Sequence, residues 1–216
     1  SFSIDNLDTE TIKVRASIRE IEKNDKEQFI YYQCKIYSNF FRYTESNLNS
    51  NDGFVFLGCS FTYGAGLYDK ETLPYYFSQL YNFDKLVINC SMGGRGTNFA
   101  FNIMESDFVY KFNKDVKIKY FIYSVIQDQI NRNFNVSTFY LNDDNFILKN
   151  GNFIRAKEPL GFLKVIFKKS YIFHRFFIDF INNRNKEFYK QYFINTLIKM
   201  KNLAIEKYNA ELIVVL

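Results

Sequence analysis

Ser60 stands in Gly58-Cys59-Ser60-Phe61-Thr62-Tyr63-Gly64-Ala65-Gly66, directly after the apolar run Phe54-Val55-Phe56-Leu57. A strand that ends in glycine and turns sharply through a serine presents the hydroxyl at the carboxyl edge of a sheet. The ligands and reactive groups of open α/β sheets lie at that edge. Gly64 and Gly66 let the backbone pass close to whatever occupies it. Such a serine can attack a carbonyl, given a base for its proton and N–H donors for the oxyanion. The plainer reading is a hydroxyl that caps the next segment of a tight turn.

A second loop, Asn89-Cys90-Ser91-Met92-Gly93-Gly94-Arg95-Gly96-Thr97, follows the apolar run Leu86-Val87-Ile88. Without a following Lys-Ser or Lys-Thr it is not a P-loop, although a glycine-rich turn before a helix can cradle an anion. A third segment, Ile126-Gln127-Asp128-Gln129, ends the run that begins near Ile118, and Arg132 lies just beyond.

The first stretch resembles the opening motif of the SGNH (GDSL-type) hydrolases, Gly-Asp-Ser-(Leu/Phe)-(Thr/Ser)-x-Gly, with Cys59 where the family carries Asp. It is closest to a bacterial branch that reads Gly-Cys-Ser-Phe-Thr-x-Gly. The resemblance makes Ser60 the catalytic nucleophile, with its own N–H in the oxyanion hole, and puts Thr62 in the matched motif. The second loop is similar to the family's Asn-x-Gly-x-x-Gly pattern, with Ser91 in place of its first glycine. That match assigns an oxyanion N–H to Gly94 and lines the site with Asn89. At the family's Gly-x-Asn-Asp position, Asp128 takes the place of the donor Asn. An ionised Asp cannot donate, so Gln129 is the better oxyanion donor, and Asp128 holds a loop or positions Arg132; the plainer reading is that both cap the loop leaving the strand. The catalytic Asp-x-x-His of the family falls after its last strand, which here resembles Glu211 to Leu216. The sequence through Leu216 does not contain it, and the expectation is a natural protein that continues.

Other reactive side chains carry less. His174, the only histidine, lies in the aromatic run Ser170 to Phe177, before the last strand, and reads as a packing residue. Cys59 and Ser60 alternate on a strand end, so one faces the core, and Cys suits that role. Asp143-Asp144 fall in a turn. The basic-aromatic run Lys164 to Phe180 reads as a core helix with snorkelling Lys168, Lys169 and Arg175 rather than a membrane-docking face.

Composition narrows the classes. The 216 residues suit one α/β domain. Aromatic residues reach 20% with no Trp, which reads as coding bias as much as chemistry. The net charge of +5 is spread along the chain, with neither the stripe nor the module that nucleic-acid binding prefers. Three cysteines, Cys34, Cys59 and Cys90, have no metal-ligand spacing and form no disulfide framework. No metal or other cofactor is implied. No run of about 18 apolar residues exists to span a bilayer. No signal peptide is visible, which leaves the compartment open with the cytoplasm favoured.

The elements that must position Ser60 follow from periodicity. Residues 11–16 and 29–37 read as strands of an amino-terminal β extension (residues 1–50) packed on the main domain, with a polar linker over residues 45–53. The main domain, residues 54–216, alternates strand and helix. A strand over 54–58 leads to a helix N-capped by Thr72, with Leu73, Phe77 and Leu80 facing the core. A strand over 86–90 precedes a helix capped by Thr97 or Asn98, with Phe101, Met104 and Phe108 in one stripe. A strand over 118–126 is apolar enough to be buried on both faces. Residues 133–158 read as an inserted β excursion with an Asn150-Gly151 hairpin turn. Two helices, about 162–183 and 186–209, then lead to a core strand over 210–216.

The fold implied by the resemblance is a flavodoxin-like three-layer α/β/α sandwich with a mainly parallel sheet. The implied function is a metal-free esterase or acyl hydrolase acting on a small acyl ester or an O-acylated bacterial glycan. Two other readings stand beside it: a non-catalytic binding or scaffold protein of the same fold, and an acyltransferase domain.

Overall fold

The computed structural model describes residues 9–18, 28–37, 41–127, 129, 146–149, 152–155 and 171–216. Four parallel strands form its centre: β3 (Asp52–Leu57), β4 (Leu86–Asn89), β5 (Lys117–Ser124) and β8 (Glu211–Val215), in the spatial order β4-β3-β5-β8. In chain order this is second-first-third-fourth. The chain leaves β3 toward one edge and β5 toward the other, so the direction of winding reverses between β3 and β5. Their carboxyl ends therefore flank the crevice where ligands of open parallel sheets bind.

Strand β3 is apolar on both faces because helices cover both. Val55, Leu57, Leu86, Ile88, Phe121 and Tyr123 share one core with Ala100, Phe101 and Met104 of α3 (Thr97–Glu105). The long helix α4 (Tyr171–Tyr208) adds Phe193, Met200, Ala204 and Tyr208 to that core. Phe54, Phe56, Val87 and Ile122 form the opposite core. There Phe77 of α2 (Leu73–Leu80) sets its ring 5.0 Å from that of Phe54 and 5.2 Å from that of Phe56. Each such side chain contributes about 1.5–3 kcal/mol on full burial.

Two antiparallel pairs lie outside this four-strand order, the first linked to β4 through the bridges of Arg42 to Ile36 and Asn89. Strands β1 (Thr9–Ile18) and β2 (Gln28–Tyr37) pair antiparallel. The pair is tied to the rest through Tyr37, which joins the larger core, and through the Lys35 N–H, which donates to Asp69 Oδ2 at 3.1 Å. Strands β6 (Phe146–Lys149) and β7 (Asn152–Arg155) pair with Lys149 opposite Asn152, the two-residue connection expected of Asn150-Gly151. The rest of the excursion over 133–158, with Asp143-Asp144, lies outside the described residues, as does the start of the helix expected from 162.

Several expectations give way. Leu73 and Leu80 do not face the core: they are 50% and 80% exposed, and α2 instead buries Pro74 and Ser78 beside the packed Phe77. Helix α3 is capped by Gly96, and Thr97 and Asn98 are its first residues. It ends at Glu105, so Phe108 packs on the core from a following 3₁₀ turn. One continuous helix of 38 residues replaces a break near residue 185, as follows from a stretch with neither Gly nor Pro. The polar segment 45–53 is no free linker. The Asn47 N–H donates to Lys85 O at 3.2 Å and Ser46 Oγ to Val87 O at 3.3 Å, covering the outer edge of β4. Strand β8 forms at the opposite edge of the sheet; Ala210 and Leu212 join the larger core, while Ile213, Val214 and Val215 remain 41%, 37% and 45% exposed.

Candidate active site around Ser60

Strand β3 delivers the chain to the crevice through Gly58, where a side chain would crowd the Ser60 turn: a Cβ there would meet Thr62 Oγ1 at 2.2 Å and Thr62 Cβ at 2.8 Å. Cys59 turns inward and is buried, as alternation requires. Ser60 then opens a one-turn helix, α1 (Ser60–Tyr63), and is half-buried. Cys59 occupies the N-cap; its carbonyl accepts from the Tyr63 N–H at 2.9 Å, but its side chain gives the first-turn N–H groups no cap. Phe61 lies 73% exposed beside the serine. The helix closes on Gly64 at φ +80, where a left-handed residue is required.

The second loop meets this turn. A Cβ added to Gly93 would lie 3.8 Å from Ser60 Cβ, in ordinary contact, so the Gly93 backbone stands beside the serine with room for a side chain between them. Gly94, at φ +77, is the third residue of a turn closed by the Arg95 N–H donating to Met92 O at 3.4 Å. Positive φ at that position is what glycine supplies. Asn89 joins the two loops: its Nδ2 donates to Thr62 O at 3.1 Å, and its Oδ1 accepts from the Ser91 N–H at 3.1 Å. Those two partners fix the amide orientation, because one can only accept and the other can only donate.

Gln129 is fully buried. Its Oε1 accepts from the Ile126 N–H at 3.2 Å and lies 3.2 Å from the Tyr123 hydroxyl, which also reaches Thr97 Oγ1 at 2.9 Å. Since Ile126 offers a donor, the amide oxygen must face it. That leaves Nε2 as a buried donor without a partner among the described residues. Ser91 Oγ, Ser124 Oγ and Thr62 Oγ1 are likewise buried and unpartnered there. Buried polar groups left unpaired are costly and mark places that a ligand or water completes. The hydrogen bonds of Gln129 run to β5 and, through Tyr123, to the start of α3, not to the Ser60 turn. Asp128 and Arg132 lie outside the described residues. His174 falls within α4.

Sequence reasoning passed over Arg42. It is fully buried and bridges β2 at Ile36 to β4 at Asn89. Its signal was a single cation in the aromatic run Phe40-Phe41-Arg42-Tyr43. The 3₁₀ turn Asp69–Glu71, which Arg42 reaches through Asp69, forms one wall of a cleft of about 510 Å³. Tyr43, Tyr68 and Tyr75 line that cleft, and neither Ser60 nor Gly94 does.

Burial raises the titration of several groups near the core. The thiols of Cys34 and Cys90 and the phenols of Tyr37 and Tyr63 are all pushed up by desolvation. The three cysteines are free and buried. No group of metal-ligating side chains exists among the described residues, and no helix there is long and apolar enough to cross a membrane. Comparison with family models, curated proteins and solved structures finds no match for this chain.

Proposed function

We propose that this chain is an ester hydrolase domain of the SGNH type, built on a flavodoxin-like three-layer α/β/α sandwich. The observation that carries the reading is the meeting of Ser60 and the Gly93-Gly94 turn at the carboxyl end of β3, beside the β3–β5 winding reversal. In this reading Ser60 Oγ attacks an acyl carbonyl. The N–H groups of Ser60 and Gly94 hold the oxyanion of the tetrahedral intermediate, each donor worth about 3–4 kcal/mol in a preorganised site. The resemblance adds Gln129 Nε2 as a third donor; its Oε1 is held by Ile126 and Tyr123 at the end of β5, and Nε2 has no partner among the described residues. Asn89 keeps the two loops in register through Thr62 and Ser91. The resemblance assigns the proton acceptor to an Asp-x-x-His motif that the sequence through Leu216 does not contain. The substrate is a small acyl ester or an O-acylated bacterial glycan.

The experiment is hydrolysis of p-nitrophenyl acetate by the full-length natural protein and by its Ser60→Ala variant. Turnover that the substitution abolishes supports the reading. Turnover that survives Ser60→Ala, or is absent from both, refutes it. The second reading, a binding module that keeps the fold without the chemistry, is favoured by Cys59 in the family's Asp position, and absence of turnover in both proteins selects it. An acyltransferase would instead show turnover that rises when an acceptor alcohol is added.

A further inference from the structure

The one-turn helix that carries Ser60 is too short to hold itself. A single turn closes few hydrogen bonds against the cost of fixing its dihedrals, and Cys59 gives it no side-chain cap. Its carboxyl end is held from outside. Arg42 Nη1 donates to Tyr63 O at 3.2 Å and to Gly64 O. Nη2 donates to Leu67 O at 2.6 Å and pairs with Asp69 Oδ1 at 3.1 Å, and Nε reaches the same carboxylate oxygen at 3.3 Å. The Tyr32 and Tyr63 rings lie 5.8 and 5.6 Å from the guanidinium carbon. A buried cation aimed at carbonyls that end a helix satisfies their orphaned acceptors and meets the negative end of its dipole.

From these contacts we infer that Arg42 is a positioning residue, holding the Ser60 turn in its reactive geometry against the Gly93-Gly94 loop. The inference rests on the ester-hydrolase reading and adds to it a residue from outside every matched motif. It acts through the backbone: Arg42 fixes Tyr63 and Gly64, and those fix the helix whose first residue is the nucleophile. Lysine cannot replace it, because one ammonium cannot span three carbonyls and a carboxylate as a planar fork does. Displacing a reacting atom by about an ångström costs on the order of a hundredfold in rate.

The test compares wild type, Arg42→Lys and Arg42→Met in two measurements on the full-length natural protein. The first is inactivation by a fluorophosphonate, resolved into the limiting rate constant and the probe affinity. The second is amide hydrogen exchange over residues 60–67, read against the sheet residues 54–57. The expected result is a limiting rate lowered on the order of a hundredfold in Arg42→Met and about tenfold in Arg42→Lys, with probe affinity within about twofold. Exchange rises over 60–67 while 54–57 stays protected. If Arg42→Met does not fold, the lysine variant decides. Variants labelled as fast as wild type, or exchange that rises equally in the sheet, overturn the positioning role alone. A wild type that the probe leaves unlabelled overturns the ester-hydrolase reading, and the reactive role of Arg42 with it. Exchange then reports whether Arg42 still clamps the turn.

Discussion

Gly58→Ala is the smallest change that bears on Ser60, since it adds one methyl group at the end of β3. That methyl would stand 2.2 Å from Thr62 Oγ1, 2.8 Å from Thr62 Cβ and 3.3 Å from Ser124 O. Rotation of Thr62 can move the hydroxyl, but Cβ moves only with the backbone of α1. To regain ordinary carbon–carbon contact it must retreat by roughly 0.7 Å. Ser60 lies on the same turn and moves with it. Overpacking of this kind costs about 1–3 kcal/mol, which equilibrium urea unfolding resolves. Thr62 Oγ1 has no hydrogen-bond partner among the described residues, so removing it sacrifices no bond. Thr62→Gly should therefore relieve the clash at a cost of about 0.3–0.5 kcal/mol in helix propensity against Thr, plus about 1 kcal/mol for the buried methyl group it removes. In the double-mutant cycle the two substitutions should couple favourably by at least about 1 kcal/mol. A Gly58→Ala protein within about 0.5 kcal/mol of wild type, or a strictly additive cycle, refutes the reasoning.

Gly64→Ala and Gly66→Ala separate strain from crowding. Both have positive φ, but a Cβ at Gly64 meets Thr72 Cγ2 at 2.5 Å and Arg42 Nη1 at 3.0 Å, while one at Gly66 meets nothing within 4 Å. Gly66→Ala should cost about 1–2 kcal/mol and Gly64→Ala measurably more, both read by urea unfolding. Leu80→Gln should leave stability within about 0.5 kcal/mol, whereas Phe56→Ala should cost about 3–5 kcal/mol because Phe56 is buried and Leu80 is 80% exposed. Stability should also fall in alkali, because burial raises the folded-state titration of Cys90 and Tyr37 above their unfolded values. The unfolded chain then releases protons that the folded chain retains. Stability is complete below about pH 8.5 and declines above it, by about 1.4 kcal/mol per pH unit for each group in turn. Cys90→Ala should lessen the first part of that decline in urea titrations between about pH 7.5 and about pH 9.5, leaving the share of Cys34, whose thiol burial also raises.

The sequence reveals most where one residue type has one use. Phe54 to Leu57, an apolar run ending in Gly58 and Ser60, reads as a strand with a sharp turn at its end, and the run over 118–126 as a strand buried on both faces. The same logic located β4, β5 and β8 and the turn at Thr72, whose Oγ1 accepts from the Tyr75 N–H at 3.4 Å. Periodicity failed on α2 because Leu73 and Leu80 share a stripe with Tyr76, also 53% exposed, while the buried positions went to Pro74 and Ser78. Hydropathy favours Leu over Ser, but Ser78 Oγ donates to Glu45 O at 2.6 Å and is held inside by that bond. Gly93 was hidden because Gly94 next to it matched a motif, although a residue beside the serine need not be a motif residue. Arg42 was hidden for a different reason. Its partners are backbone carbonyls and the Asp69 carboxylate, all more than twenty residues away, and no local pattern of residue types encodes such long-range contacts.

Intact mass of the full-length natural protein before and after a fluorophosphonate, with the adduct mapped by peptide fragmentation, tests the central assignment most directly. The account predicts a single adduct, carried by Ser60 and lost in Ser60→Ala. An adduct on another residue, or an unmodified protein after prolonged exposure, contradicts it and leaves the Ser60 turn as a structural feature of the sheet edge.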